Sequence, residues 1–230
     1  MDERKLLAIQ ETINTANIGK EVTLVAASKT QATAELFSAY GLGIRDFGEN
    51  YLKEALPKIE ALAHLALNWH FIGRIQSNKT RAIAESFDWV HCVDREKVAR
   101  RLSDHRSPHH SDHKLRAALN VLIQVNVDDD PNKGGVSPSE VKALVEVIDT
   151  LPNLKLRGLM TILHPSTTPR EGYASVAQLA AEIGQILAAK EASNAQWDTL
   201  SMGMSADLAD AISSGSTMVR IGTALFGPRA

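Results

Sequence analysis

The 230 residues, 44% hydrophobic and 23% charged, have the composition of an ordinary globular chain, long enough for one large α/β domain or two small ones. A formal net charge of -2 supplies no basic field for nucleic acid, no polybasic segment points to a membrane, and no run reaches the roughly 18 consecutive apolar residues of a membrane span. The lone cysteine, Cys92, excludes an intramolecular disulfide and a thiolate-rich metal site, and without an apolar signal core after Met1 the chain reads as cytoplasmic.

In chain order, Leu6, Ile9, Ile13 and Ala16 recur at helical spacing, so the first element is a helix, stopped by Gly19. Val22 to Ala27 is a short apolar run rich in β-branched residues; it reads as a buried strand that delivers Lys29 just past its carboxyl end. A helix with Leu36, Phe37 and Tyr40 on one face follows, closed by Gly41. The second strand, Ile44 to Phe47, runs into Gly48-Glu49-Asn50. The next helix sets Leu52, Ala55, Leu56, Ile59 and Leu62 on one side, with Pro57 kinking it or marking its true start. Asn68 to Ile72 is the third strand, and the polar loop Gln76-Ser77-Asn78-Lys79 leads into a helix carrying Ile83, Ala84 and Phe87. Trp89 to Val93 is the fourth strand, followed by a helix containing Val98 and Leu102.

Ser103 to His113 is polar and His-rich and reads as a surface loop. Its imidazoles, His105, His109, His110 and His113, could hold a metal, but no fixed carboxylate or thiolate accompanies them, and no metal is expected. Val121 to Val127 is the fifth strand. Ser137-Pro138-Ser139-Glu140 is a capping box that starts a helix with Val141, Leu144, Val145, Ile148 and Leu151 as its apolar stripe. The sixth strand lies in Leu154 to Met160, and a helix runs from about Tyr173 through Ile186. The seventh strand is Thr199 to Met202; Ser205 caps a helix holding Leu208 and Ile212; the eighth strand is Met218 to Ile221, ending in Gly222-Thr223.

Eight strands, each followed by helical or loop material and about 28 residues apart on average, match the repeat of an eight-fold βα barrel. No Pro/Ser/Gly-rich linker divides the chain. The expectation is an α/β fold, a single (β/α)8 TIM barrel with an extra N-terminal helix, in which residues 1-230 form one domain. An open doubly wound sheet also alternates strand and helix, but it commonly uses about six strands, and the Gly-x-Gly-x-x-Gly fingerprint is absent.

Barrel strand ends converge on one mouth, which here gathers Lys29, Asn50, His70, Asn126, Met160, Ser205, Arg220, Gly222 and Thr223. Ser205 at a helix start and the Gly222-Thr223 turn are the parts of a phosphate cradle made of backbone N–H groups and a hydroxyl. Lys29, drawn into a partly desolvated mouth, becomes a nucleophile toward a carbonyl. A lysine facing a phosphate cradle points to pyridoxal phosphate. His70 is either a mouth residue near that cofactor or a buried histidine satisfied by backbone. Asn50 and Asn126 orient the cofactor or close their turns. Glu49 reads as a helix-start carboxylate rather than a general acid, Met202 and Met204 as packing, and Cys92 as a buried strand residue rather than a nucleophile.

Several stretches carry a resemblance: Ala27-Ser28-Lys29-Thr30, Phe47-Gly48-Glu49-Asn50-Tyr51, Trp69-His70-Phe71-Ile72-Gly73, Gln76-Ser77-Asn78-Lys79, Ile123-Gln124-Val125-Asn126 and Leu156-Arg157-Gly158-Leu159-Met160. Together with Leu200-Ser201-Met202-Gly203-Met204-Ser205 and the run Gly215 to Thr223, they resemble the pyridoxal phosphate homeostasis protein family, over residues 22 to 227. The resemblance implies a barrel like the N-terminal domain of alanine racemase, a covalent aldimine at Lys29, and a role in carrying or buffering the cofactor without catalysis. It further implies that Ser205, Gly222 and Thr223 hold the phosphate and that Arg220 approaches the pyridine ring; Asn50, His70 and Met204, from the strand ends, are placed with them as cofactor-binding. A cation beside the ring nitrogen disfavours its protonation and weakens the electron sink. Gln31 and Ala32 depart from the family, where many relatives have a basic residue and a proline.

The alternative is an amino acid racemase acting through Lys29. Racemisation needs a base on each face of the substrate Cα, and alanine racemase-like enzymes take the second, a tyrosine, from another domain. Of Tyr40, Tyr51 and Tyr173, only Tyr51 lies near a strand end. The carrier reading is preferred, with apo-enzymes that accept the cofactor as partners, no nucleic acid or membrane, and a monomer as the working unit.

Overall fold

The computed structural model describes residues 2–106, 117–190, 193 and 195–227. Asp2 opens the first helix, α1 (Glu3–Ala16), by accepting the Arg4 N–H at 3.0 Å, and Leu6, Ile9 and Ile13 form its buried face. The strands are β1 (Thr23–Ala27), β2 (Asp46–Glu49), β3 (Asn68–Phe71), β4 (Trp89–Val93), β5 (Leu119–Val125), β6 (Leu154–Thr161), β7 (Thr199–Ser201) and β8 (Met218–Ile221). Between them run α2 (Thr33–Gly41), α3 (Leu52–Ala61), α4 (Thr80–Ser86), α5 (Glu96–Arg106), α6 (Val141–Asp149), α7 (Pro169–Ala188) and α8 (Leu208–Ser213), with α9 (Thr223–Phe226) after β8. Each strand pairs in parallel with the next and β8 pairs with β1, so the sheet closes on itself. This is the expected (β/α)8 barrel, with α1 as the extra helix, packed against α8 and α9.

Local chemistry accounts for these elements. Helices outside and side chains inside leave parallel strands buried on both faces, which is why Leu119, Val121, Leu122, Ile123 and Val125 of β5 are all buried. The capping box forms as read: Ser137 N–H donates to Glu140 Oε2 at 2.9 Å, one 3-10 turn ahead of α6. Those hydrogen bonds from Ser137 hold the Glu140 carboxyl below its ordinary range. Among the described residues no helix is long and apolar enough to cross a membrane.

Some expectations move. The second strand starts two residues late, because Ile44 N–H bonds to Ala39 O in the last turn of α2 and is lost to the sheet. Phe37 is exposed, and Leu36 with Ala39 forms the buried face of α2 instead. Pro57 neither starts nor ends α3, which runs through it to Ala61. The fifth strand ends at Val125: Asn126 donates through Nδ2 to Asp130 O at 2.9 Å and accepts the Asp130 N–H at 3.2 Å, so it closes its own turn. Ser103 to Arg106 belong to α5, not to a loop. Arg106 is buried there and donates to Ala84 O, Phe87 O and Ala117 O. His109, His110 and His113 lie outside the described residues.

Candidate functional site

β1 ends at Ala27 and delivers Ser28, Lys29 and Thr30 to the carboxyl-end mouth. Ser28 N–H donates to Gly48 O at 2.9 Å and Ser28 Oγ to Glu49 Oε1 at 2.7 Å. Lys58 reaches in from α3 and donates through Nζ to both Ser28 O and Glu49 Oε1 at 2.8 Å. Glu49 is therefore not a helix-start carboxylate. β2 carries it into the interior, fully buried and ion-paired, because the strand includes Gly48 and Glu49. On the other side, Thr30 adopts a φ of 65°, left-handed backbone that is strained for a β-branched residue. Its N–H donates to Glu54 Oε2 at 2.9 Å. Lys58 and Glu54 sit on one helix, so α3 grips the peptide groups before and after Lys29.

A cavity of about 190 Å3 opens at this mouth, and Lys29, Asn50, Met204, Arg220, Gly222 and Thr223 line it. Asn50 Oδ1 is buried and has no hydrogen-bond partner among the described residues, so a cavity wall presents an acceptor. The wall is closely built: a Cβ at Gly73 would sit 2.1 Å from the Asn50 carbonyl oxygen, so only glycine lets the ends of β2 and β3 meet there. Tyr51 is 59% exposed and lines an adjoining hollow, with Lys53, Arg74 and Lys79, that has Asn50 in common with the cavity.

Ser205 does not cap α8; Asp207 is the residue at that position. Ser205 Oγ instead accepts the Ala224 N–H at 3.4 Å, which brings it against the first turn of α9 beside Thr223. Asp207 Oδ1 accepts the Met204 N–H at 2.6 Å and Oδ2 accepts the Tyr173 hydroxyl at 2.8 Å, tying the loop after β7 down to α7. Burial and that carboxylate raise the Tyr173 pKa.

Arg220 is buried in β8. Its Nη1 donates to Ser201 O at 2.7 Å and Ser201 Oγ at 2.6 Å, and its Nη2 to Thr161 O at 2.8 Å. Burial lowers its pKa from the ordinary value. Cys92, also buried, has its thiol pushed up to about 12 by desolvation, which makes it the inert strand residue expected.

His70 is not part of the cavity wall. It is fully buried, with Nε2 at 3.0 Å from Asp46 Oδ1 and Nδ1 at 3.0 Å from His91 Nε2. Placed level with Gly48 and Trp89 in the sheet, it stops short of the mouth, where Ile72 takes the wall position. Its partners are side chains, not the backbone. Lys58, Glu54, His91 and Ser201 were not singled out from the sequence; the one local signal was the alternation that turns His91 and Ser201 into the barrel. Among the described residues no group of three or more His, Cys, Asp or Glu side chains is arranged to hold a metal.

The chain matches the family "Alanine racemase, N-terminal domain" over residues 8–230. It is 51% identical over 208 residues to the pyridoxal phosphate homeostasis protein of Pseudomonas aeruginosa, covering 90% of this chain and 85% of that one. The Escherichia coli protein of the same name is 43% identical over 213 residues, covering 91% and 87%. PipY of Synechococcus elongatus, solved with PLP bound, superposes with a TM-score of 0.81 at 33% identity, covering 95% of this chain and all of that one. Fold, mouth and likeness agree: the chain belongs to the pyridoxal phosphate homeostasis protein family, built on the barrel of the alanine racemase N-terminal domain.

Proposed function

We propose that this protein binds pyridoxal phosphate covalently at Lys29 and carries or buffers it in the cytoplasm, without catalysing a reaction of its own. The observation that carries this reading is the single cavity in which Lys29, the orphaned Asn50 acceptor, the Arg220 guanidinium and the Gly222-Thr223 turn meet. These residues fit the group. Lys29 Nζ, once unprotonated, can condense with an aldehyde and release one water. Asn50 Oδ1 can accept from a ring hydroxyl, Met204 offers an apolar wall, and Gly222 and Thr223 offer backbone N–H groups and a hydroxyl to a phosphate, with Ser205, which borders a different hollow, bonded to the Ala224 N–H that follows them. When bound, pyridoxal phosphate supplies an electrophilic aldehyde and an electron sink, and the Arg220 cation works against the second.

The relatives named for pyridoxal phosphate homeostasis support the same reading. A racemase would need a second base over the ring; Tyr51, the candidate in the sequence, lines the adjoining hollow and not the cavity that holds Lys29. The reading takes a monomer acting as one domain over 1-230, with apo-enzymes as recipients of the cofactor.

The test is borohydride reduction of protein loaded with pyridoxal phosphate, followed by peptide mapping. Label should appear on Lys29 alone, and label on a different lysine would overturn the site. Deuterium exchange at Cα of alanine and serine, followed in the same preparation, distinguishes the roles. Exchange of about one per second or faster, the low end of ordinary enzymes, that disappears in Lys29→Ala would make the protein a racemase.

A further inference from the structure

We infer that Asp46, His70, His91 and Ser201 form a hydrogen-bonded relay through the barrel interior that positions the Arg220 guanidinium in the cavity wall. Its bearing on the cofactor rests on the function proposed above, whereas the relay itself stands on geometry. Arg220 Nη1 lies 2.6 Å from Ser201 Oγ, Ser201 Oγ 3.0 Å from His91 Nδ1, His91 Nε2 3.0 Å from His70 Nδ1, and His70 Nε2 3.0 Å from Asp46 Oδ1. These residues stand on β8, β7, β4, β3 and β2. The line therefore crosses the interior between opposite walls and ends at the first residue of β2, where the Asp46 side chain is 20% exposed. Barrel interiors are ordinarily filled by Val, Ile and Leu. A string of buried polar groups is tolerable only if every member is satisfied.

The relay we infer runs its protons in one direction, from Arg220 to Asp46. A guanidinium has donors and no acceptor, so Ser201 Oγ accepts from Arg220, which leaves its own proton for His91 Nδ1. His91 then donates from Nε2 to His70 Nδ1, and His70 donates from Nε2 to the Asp46 carboxylate. In this pattern both rings carry their proton on Nε2. Burial, with His70 and Arg220 nearby, holds the His91 pKa well below 6.5, in keeping with a neutral ring. The ring planes are fixed by packing: His70 stacks on Trp89 with centroids 5.6 Å apart and meets His91 edge-on at 5.2 Å, and the Arg157 guanidinium covers Trp89 at 4.6 Å. An unconstrained Ser201 hydroxyl could turn its proton toward the guanidinium. His91 prevents this by accepting that proton, and His70 and Asp46 prevent His91 from changing tautomer. All four are positioning residues for Nη1, while Thr161 O holds Nη2.

Side-chain nitrogen NMR on the whole protein, without ligand, tests this directly. His70 and His91 should both appear at neutral pH as neutral Nε2–H tautomers, and the Arg220 Nη groups should rotate slowly. Finding either ring protonated on Nδ1 or charged would overturn the relay. Ser201→Ala and His91→Leu should both speed Nη rotation, shift the absorption band of bound pyridoxal phosphate in the same direction, and weaken its binding about tenfold, the scale of one charge-assisted hydrogen bond. Ser201→Thr, which keeps the hydroxyl, should restore parent behaviour, and the double variant should be no worse than Ser201→Ala alone. Unchanged Nη rotation in His91→Leu would sink the relay whether or not the cofactor binds. A parent protein that binds no pyridoxal phosphate would remove the proposed function, and the relay would be judged on Nη rotation alone. Asp46→Asn, at the partly exposed end, is the variant least disruptive to folding and should give the same signs at smaller amplitude.

Discussion

Lys58 and Arg220 are buried cations on either side of the same site, and their charges are met in different ways. Lys58 has a buried carboxylate, Glu49, at 2.8 Å and a carbonyl at the same distance. Arg220 has two carbonyls and a hydroxyl, with the neighbouring Cys92 thiol and His91 ring held neutral. A cation with its counter-ion in contact is finished business and acts as a strut, here under the turn that carries Lys29. A cation whose hydrogen-bond partners are all neutral, with a carboxylate, Asp207, acting on it only through space, keeps more of its field for whatever enters the cavity.

Three measurements sharpen or break that contrast. The largest effect should come from Glu49→Ala, which strands Lys58: loss of a partner from a buried pair costs about 3–5 kcal/mol, read from urea unfolding. The double variant Glu49→Leu with Lys58→Met should recover most of it, and a double variant as unstable as the single would mean that the pair is not what holds β2 to α3. Arg220→Met should cost less, about 1–3 kcal/mol, from carbonyls left without donors, yet weaken pyridoxal phosphate binding more than tenfold, roughly one to two charge-assisted hydrogen bonds. If stability fell as far as in Glu49→Ala while binding held, the two cations would be alike and the contrast would fail.

The smallest effect concerns the neutral surroundings of Arg220. Burial raises the Cys92 thiol from an ordinary 9.0 to about 12, so the folded chain keeps a proton that the unfolded chain releases above pH 9. This contribution to stability is fully present below pH 9 and is lost as the pH climbs toward 12. Cys92→Ala should flatten the alkaline decline measured by urea unfolding. An unchanged slope would assign it to other groups, of which Tyr173, raised by burial and Asp207, is the nearest.

How much was legible beforehand follows the range of the interactions. β4 and β8 could be read to the residue because alternation and β-branched runs are local signals. β2 could not, since Asp46-Phe47-Gly48-Glu49 has no β-branched residue and its start is set by the end of α2. Lys29, Asn50, Arg220, Gly222 and Thr223 were readable as strand ends on a barrel, whereas Ser205, read as a helix cap, bonds to the first turn of α9 and borders a different hollow with Lys5 and Ala8. What holds Lys29 and Arg220 was hidden. The grip of α3 on Lys29 needs contacts 24 and 30 residues away, and the His91 to Ser201 bond spans 110 residues, beyond any local pattern. His70 was misplaced because strand alternation turns it inward without saying how deep it lies.

Closure of the sheet through β1 and β8 sets an order of events during synthesis. Val25 pairs with Arg220, so the strand that delivers Lys29 and the strand that delivers the guanidinium are lateral neighbours although nearly the whole chain lies between them. Contacts of such long sequence separation form late and slowly. A ribosome-bound chain that has released β1 to β7 exposes Lys29 but neither Arg220 nor the Gly222-Thr223 turn. It can meet free aldehyde without retaining it. If the cofactor is held as proposed, its retention requires that the last strand has docked, and loading would follow completion of the barrel rather than aid its early folding.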